Sequence, residues 1–243
     1  MNEAEGKILL AVLAHPDDEM GFASVLAHYA GRGADVFMVS LTAGQKGFRP
    51  HTDIREAEDL ARVRREEFKR SARVLGAREA RVLEFVDQEL LGPRQDEIRR
   101  RLGDTLEELT PHAVITFGPD GITGHPDHRA ASCFVTELLQ AKKEGESRLF
   151  YHGLHPQDAA RFAEEMGRTL HAVAERHLTT RIQVSEEDVE TGLRAIQEHR
   201  SQFSPEFMDQ IRRIFRDTTR EVWFRRVFPA PGSRGKLERS LFG

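Results

Sequence analysis

The stretch KILLAVLAHPDDE, residues 7–19, decides the fold of this chain. Its first part, residues 7–14, is a short apolar run that ends at a turn, which predicts a buried β-strand. Pro16 then stands where a helix can begin, because the first N–H groups of a helix need no partner within it. A second stretch, AVITFGPDGITGHPDH at residues 113–128, has the same order of apolar run, turn and proline. The sequence therefore contains two strand–turn–helix units that share one His-Pro-Asp pattern.

Apolar runs alternate with amphipathic segments between these two units. Strands are predicted at residues 7–14, 35–41, 80–86 and 113–117, and helices at residues 20–30, 55–75, 95–109 and 126–142. Such alternation favours βαβ units and a parallel sheet. The predicted fold class is therefore α/β, with a Rossmann-like, mostly parallel sheet flanked by helices.

The pattern changes after about residue 148. Further strands are predicted at residues 149–153, 179–184 and 221–227, and helices at residues 156–166 and 185–202. This predicts a single domain, residues 1–243, with a core at 7–145, a β-containing extension at 146–228 and a tail at 229–243. The tail is rich in Gly, Pro and basic residues, and we expect it to be frayed.

The composition limits the function classes. Hydrophobic residues make up 39% and charged residues 31%, and the net charge of −4 gives no basic surface for nucleic acid. The longest apolar run, residues 8–14, is too short to cross a membrane, and no secretory leader is evident. The single cysteine, Cys133, excludes an internal disulfide and favours a reducing cytoplasm. We expect Cys133 to pack in the core, and the sequence leaves a homo-oligomer open.

The topology of such a sheet brings the two His-Pro-Asp turns together. Parallel sheets bind ligands beyond the carboxyl ends of their strands, at the point where the strand order reverses. In the order 3-2-1-4-5, strands one and four are neighbours at that point, and each precedes one of the two turns. Histidines and aspartates from both turns are therefore expected to converge. The converging residues are His15, Asp17, Asp18, His125, Asp127 and His128.

These residue types suit a divalent metal that activates water. Zinc takes imidazole and carboxylate ligands, and a catalytic zinc keeps three protein ligands and an open position. A nearby carboxylate can take a proton from water, and a further imidazole can stabilise an oxyanion. Asp17 and Asp18 could exchange roles on this reasoning. The alternative is that the acidic residues only cap helices, each worth about 0.3–1 kcal/mol.

At these residues the chain resembles the LmbE-like, or PIG-L, family of zinc-dependent N-acetylglucosaminyl deacetylases. AHPDDE, residues 14–19, is similar to the first family signature, and GHPDH, residues 124–128, to the second. The resemblance implies hydrolysis of the N-acetyl group of an N-acetylglucosamine-type sugar or its conjugate. It also implies a small amino-sugar substrate and Zn²⁺, or another divalent metal such as Fe²⁺, as cofactor.

The resemblance also assigns roles to the converging residues. It implies three metal ligands: His15, Asp18 and His128. Asp17 would be the general base. His125 would stabilise the tetrahedral intermediate and assist departure of the amine, with Asp127 holding its ring.

Further positions resemble the family less strongly. Arg64, in an Arg-x-x-Glu pattern with Glu67, and Asp87, after the third strand, are predicted to bind substrate. Arg64 and Glu67 could instead form only a surface pair. His199 resembles a C-terminal family element and is a candidate for the pocket lining. Thr123 stands where the mycothiol-pathway deacetylases carry tyrosine, which argues against a mycothiol-precursor substrate.

Two other functions fit part of the pattern. A metal-dependent phosphoesterase would need a second metal about 3.5–4 Å from the first, and few carboxylates are spare. A non-catalytic sugar-binding protein on the same fold would bind ligand without turnover. The apolar run at residues 8–14 is not followed by Gly-x-Gly-x-x-Gly, so a dinucleotide-binding role is disfavoured.

Overall fold

The computed structural model describes residues 3–48, 52–142, 147–218, 220–228 and 237–243. It contains seven strands: β1 (Ile8–Leu13), β2 (Asp35–Thr42), β3 (Glu79–Phe85), β4 (Ala113–Phe117), β5 (Arg148–His152), β6 (Thr180–Gln183) and β7 (Glu221–Phe228). They form one sheet in the order β3-β2-β1-β4-β5-β7-β6. The strands β3, β2, β1, β4 and β5 are parallel, whereas β7 is antiparallel to β5 and to β6. The predicted α/β class and the order 3-2-1-4-5 are confirmed.

Helices connect these strands. The described residues form eight helices, which are α1 (Ala23–Ala30), α2 (Ala57–Leu75), α3 (Gln95–Leu109), α4 (Gly121–Gly124), α5 (Pro126–Gln140), α6 (Pro156–Met166), α7 (Glu186–Ile196) and α8 (Pro205–Thr218). Short 3-10 turns occur at Asp18–Gly21 and Glu175–His177. Among the described residues, no helix has the length and apolar character to cross a membrane.

The sheet has a hydrophobic core on each face. Along β1, Leu9, Ala11 and Leu13 belong to one core, whereas Leu10 and Val12 belong to the other. Strands buried on both faces appear in sequence as unbroken apolar runs, which is why residues 7–14 were identifiable. The turn after β1 is therefore attached to a strand that both cores hold in place.

The structure corrects several sequence predictions. The helix predicted at residues 185–202 ends at Ile196, and α8 was not predicted. Cys133 is exposed rather than buried, because Ala130, Ala131 and Phe134 form the packed face of α5.

The end of the tail is packed rather than frayed. Leu241 is fully buried, and its N–H donates a hydrogen bond of 2.8 Å to the Tyr29 hydroxyl. Glu238 also pairs with Thr180 at the edge of β6. Residues 229–236 of the predicted tail lie outside the described residues.

Candidate active site

The turn after β1 is built around the carboxylate of Asp18. Its Oδ2 accepts the N–H groups of Ala14, at 3.1 Å, and His15, at 2.7 Å. These bonds bend the chain sharply, and Asp17 adopts a left-handed backbone with φ of 115°. A non-glycine residue at positive φ is strained, and such strain persists only where the surroundings fix it.

A buried arginine fixes Asp17 from one side. Arg64, only 3% exposed, donates to Asp17 Oδ1 at 2.7 Å and to the carbonyl oxygen of Gly44 at 3.0 Å. It also bonds the carbonyl oxygen of Pro16. Arg64 therefore belongs to no surface pair. Its guanidinium joins α2 to the turn and to the loop that follows β2.

A buried polar network supports the same turn from behind. Glu19 and His199 are both fully buried, and His199 Nε2 lies 2.5 Å from Glu19 Oε1. Ser71 donates to that same oxygen at 2.6 Å. Glu67, likewise buried, accepts the Ser201 N–H at 2.8 Å. His199 is thus part of the support of the turn and not of a pocket wall, and sequence reasoning missed the role of Glu19 as its partner.

The turn before α5 has a different local structure. His125 is the N-cap of α5, and its Nδ1 accepts the backbone N–H of Asp127 at 3.2 Å. The preceding Gly124 has φ of 76°, a conformation that favours glycine. Pro126 occupies the first helical position, as expected from the sequence. The cap itself is regular, and Ile122, with φ of 60°, is the non-glycine residue at positive φ in the segment before it.

The ring of His128 has a defined tautomer. It stacks on Phe117, with 4.1 Å between the ring centroids, and its Nδ1 lies 3.0 Å from the carbonyl oxygen of Gly121. A carbonyl oxygen can only accept, so Nδ1 carries the proton. The lone pair of Nε2 then faces Asp18 Oδ1 at 3.1 Å.

The ring of His15 is fixed in the same manner by two carboxylates. Its Nε2 lies 3.0 Å from Asp87 Oδ1 and 3.3 Å from Asp127 Oδ2, and carboxylates also only accept. Nε2 therefore carries the proton, and Nδ1 faces Asp18 Oδ2 at 3.4 Å. Carboxylates that orient an imidazole in this way are characteristic of metal-binding histidines.

This arrangement fits a cation. Two imidazole lone pairs, from His15 and His128, point at the carboxylate of Asp18, and without positive charge between them they would repel it. Imidazole nitrogen and carboxylate oxygen are ligands that zinc and related divalent metals accept. The donor set therefore suits a divalent metal ion.

The pKa shifts of Asp18, His15 and His128 also favour positive charge at this point. Burial opposes charge on Asp18, yet the rings of His128 and His15 hold its pKa well below its usual range. Burial also opposes charge on the two histidines, but Asp18 raises the pKa of each. Asp17 differs, because burial raises its pKa to about 6 even though Arg64 acts in the opposite direction.

Ligand-type atoms form two overlapping trios in the described part of the chain. One trio is His15, His125 and His128, and the other is His15, Asp87 and Asp127, with atoms within 4.8 Å of one another in each. In the second trio Asp87 accepts the N–H of Lys46 at 2.9 Å, and Asp127 accepts that of Gln88 at 2.6 Å. These carboxylates are thus committed to the backbone and to His15, which leaves little capacity for a second metal.

The contacts of Asp127 differ from the prediction that this residue holds the ring of His125. Its carboxylate contacts the ring of His15 and the N–H groups of Gln88 and Leu90, whereas only its backbone N–H contacts His125. The sequence could not reveal this contact, because it joins residues 112 positions apart.

A cavity of about 940 Å³ adjoins the cluster. Asp17, Asp18 and His128 line it, whereas the half-buried His125 stands beside His128, with 5.0 Å between their ring centroids. Arg64 and Asp87, predicted to bind substrate, are both buried and are not among the lining residues. Among the remaining lining residues, those of α6, α8 and β7 are largely apolar.

The chain is similar in sequence to one protein family and in fold to several solved structures. Residues 10–139 match the model of the family described as GlcNAc-PI de-N-acetylase, PIG-L. The chain is 30% identical over 222 residues to a probable N-acetyl-alpha-D-glucosaminyl L-malate deacetylase 2 of Bacillus anthracis, a match that covers 90% of this chain and 92% of the relative. The family match spans both His-Pro-Asp turns, and the match to the Bacillus anthracis relative covers most of the chain.

Solved structures show the same fold at lower identity. The N,N'-diacetylchitobiose deacetylase of Pyrococcus horikoshii matches with a TM-score of 0.71 and 22% identity, covering 93% of this chain and 88% of that one. GalB, the 4-carboxy-2-hydroxymuconate hydratase of Pseudomonas putida KT2440, matches with a TM-score of 0.67 and 18% identity, covering 95% and 100%. The fold therefore occurs with more than one chemistry, and function has to be argued from the site.

Proposed function

The chain belongs to the GlcNAc-PI de-N-acetylase (PIG-L) family, and we propose that it is a zinc-dependent deacetylase. Its substrate would be an N-acetylglucosamine-type sugar or a conjugate of one, and its products acetate and a free amine. The observation that carries the proposal is the convergence of His15 Nδ1, the Asp18 carboxylate and His128 Nε2 beside a cavity. The sequence relatives named as deacetylases support the same reaction class.

We propose His15, Asp18 and His128 as the metal ligands. Their mixture of imidazole and carboxylate suits Zn²⁺, and Fe²⁺ accepts the same donors. A bound ion would supply a Lewis acid for the amide carbonyl and a water molecule of lowered pKa. Asp127 and Asp87 would hold the ring of His15 in the orientation that ligation requires.

Asp17 is the proposed general base. Arg64 binds its Oδ1, and the strained turn presents the side chain to the cavity. A carboxylate held there can take the proton of an attacking water molecule and pass it to the leaving nitrogen. Arg64 would then assist the reaction by positioning Asp17 and not by touching the sugar.

His125 is the proposed donor to the developing oxyanion. Its Nδ1 accepts a backbone N–H, so in the neutral ring the proton is on Nε2. An N–H donor beside the reacting carbonyl stabilises the negative charge that appears in the transition state. By holding that charge the ring would also assist departure of the amine, whose proton is the one that Asp17 takes from the attacking water.

A panel assay tests the proposed reaction. The protein, loaded with one metal at a time, is incubated with N-acetylated sugars and conjugates, and the released primary amine is measured. We expect amine release from at least one N-acetylglucosaminide and about one metal ion per chain. Two ions per chain together with cleavage of a phosphate ester would favour the phosphoesterase instead. Saturable sugar binding without any amine release would favour the non-catalytic alternative.

A further inference from the structure

The cavity beside the cluster is larger than an amino sugar needs. Its volume is about 940 Å³, near the upper end of the roughly 300–1,000 Å³ of pockets that enclose drug-sized ligands. A single sugar ring is smaller than such ligands. A substrate that fills the cavity must therefore carry a further group attached to the sugar.

The wall of the cavity indicates the chemistry of that group. Aromatic and aliphatic side chains dominate the part that lies beyond the proposed metal ligands. Examples are Phe162, Met166, Leu170, Phe203, Phe207 and Trp223. Phe203 and Phe207 stack with 4.8 Å between their ring centroids, and α6 packs against α8. Transfer of an apolar ligand group from water to such a surface lowers the free energy, so an apolar group is favoured there.

The charges along the wall disfavour an anionic group. Three acidic residues line this part of the cavity: Asp158, Glu206 and Glu221. Among the described lining residues there is one arginine, Arg168, and no lysine. The charge of Glu221 is offset in part by its ion pair with Arg181, at 2.9 Å. A dicarboxylate attached to the sugar would meet more carboxylates than cations, and like charges disfavour binding.

An exposed phenylalanine extends the apolar wall to the mouth of the cavity. Phe48 lines the cavity and is 79% exposed, the largest exposure among the large hydrophobic side chains described. It belongs to the loop after β2 that also contributes Gly44 to the contact with Arg64. Phe48 therefore continues the apolar lining of the cavity to its mouth.

We propose that the substrate is an N-acetylglucosaminide whose aglycone is apolar and uncharged, such as an alkyl, acyl or aryl group. The aglycone lies in the cavity bounded by α6, α8 and β7, with the amide at Asp17 and the proposed metal ligands. This inference rests on the proposed deacetylase function and specifies its substrate class.

A matched set of substrates tests the inference. The metal-loaded protein is assayed with free N-acetylglucosamine, its hexyl glycosides in both anomers, and its malate and inositol conjugates. We expect kcat/KM for a hexyl glycoside to exceed that for the free sugar by about 10–100-fold, because several methylene groups become buried. The malate conjugate should be no better than the free sugar. A preference for the malate or inositol conjugate would overturn the inference while leaving the deacetylase function intact.

Binding measured without turnover separates the two proposals. Calorimetry with the hexyl glycosides and with free N-acetylglucosamine uses the metal-loaded Asp17→Asn variant, in which turnover is expected to be roughly 10²–10⁴-fold slower. Tighter binding of a hexyl glycoside would support the apolar cavity even if no sugar were deacetylated. Equal affinity of the free sugar and both hexyl glycosides would overturn it.

Two exposed residues provide a matched pair of variants. Phe48→Ser removes an apolar side chain from the mouth of the cavity, whereas Leu91→Ser removes the other strongly exposed one, which does not line it. We expect the ratio of hexyl to free-sugar kcat/KM to fall about 3–10-fold in Phe48→Ser. The ratio should stay at the wild-type value in Leu91→Ser. An equal ratio in wild type, Phe48→Ser and Phe207→Ser would contradict an aglycone bound along this wall.

Discussion

The two His-Pro-Asp turns share a sequence pattern but not a structure. The first enters a 3-10 turn with Asp17 at φ 115°, held by the buried Arg64 and Glu19. The second begins α5 through a regular N-cap at His125. The third residue of the pattern, Asp17 in one turn and Asp127 in the other, consequently points to different places. Asp17 lines the cavity, whereas Asp127 is 1% exposed and contacts His15.

The difference shows how one pattern can supply two kinds of carboxylate. A turn with Asp17 itself at positive φ presents that carboxylate at the reacting end of the site, while a regular N-cap places Asp127 behind a proposed ligand. A repeated motif therefore identifies where a site lies, but the local backbone decides which member of each copy meets the substrate.

The largest expected effect comes from the residue that links the two turns. His128→Ala removes the proposed ligand that faces Asp18, so the protein should lose its metal. Activity should fall by more than the roughly 10²–10⁴-fold that removal of a general base costs. Elemental analysis of the purified variant measures the metal, and circular dichroism checks the fold. Full metal occupancy in a folded variant would exclude His128 as a ligand.

Asp17→Asn tests the strained turn alone. Asn has nearly the same shape but is a poor base, so kcat should fall roughly 10²–10⁴-fold while the metal stays bound. Asp104→Asn, at an exposed ion pair on α3, is the control and should retain wild-type kcat. If Asp17→Asn lost the metal and Asp18→Asn kept it, the two aspartates would have exchanged roles.

Asp127→Asn in combination with His125→Ala tests the second turn. Because the Asp127 carboxylate contacts His15 and not the ring of His125, the two residues should act on different steps. Loss of a carboxylate behind a ligand typically weakens metal binding about 10–100-fold. The double variant should therefore lose roughly the product of the single losses at limiting metal. A double loss no greater than that of His125→Ala alone would show that Asp127 works through His125.

His152, at the end of β5, is a histidine at the same edge of the sheet that belongs to neither of the two turns. It is buried, its Nδ1 has no hydrogen-bond partner in the part of the chain described, and burial lowers its pKa to about 4. Because the unfolded state binds the proton more tightly, stability should be lost as the pH falls from 6.5 towards 4. His152→Leu should remove up to roughly 3 kcal/mol of that dependence.

Urea unfolding of the metal-free protein at pH 7 and at pH 4.5 measures this difference. His177→Leu, at an exposed histidine, is the control and should follow the wild-type pH dependence. An equal change in the free energy of unfolding between the two pH values for wild type and His152→Leu would show that burial does not lower the pKa of His152.

Much of the fold could be predicted from the sequence. The unbroken apolar run at residues 7–14 and its counterpart at residues 113–117 identified adjacent strands, because strands buried on both faces leave that pattern. Because these two strands are adjacent, the residues at their ends meet although they are about 110 positions apart in the chain. The helix α8 was missed, although Pro205 at its first position and apolar residues at helical spacing, such as Phe207 and Ile211, were its signal.

The partners within the site could not be predicted in the same way. Arg64, which the sequence predicts to bind substrate, is buried against Asp17 and the backbone of the turn. Glu19 and His199 pair across 180 positions, and nothing local in either segment encodes the other. Such contacts depend on how α2 and the segment after α7 pack against the turn, and a single sequence does not contain that geometry.

One measurement tests most directly whether the two turns have different functions. Metal affinity and kcat at saturating metal are determined in parallel for Asp17→Asn and Asp127→Asn, the same substitution at the same position of the two turns. We expect unchanged metal affinity with lost kcat for Asp17→Asn. For Asp127→Asn we expect metal binding weakened about 10–100-fold, with kcat largely restored once metal is saturating. The same loss of kcat at saturating metal in both variants, with metal affinity unchanged in both, would contradict this expected difference.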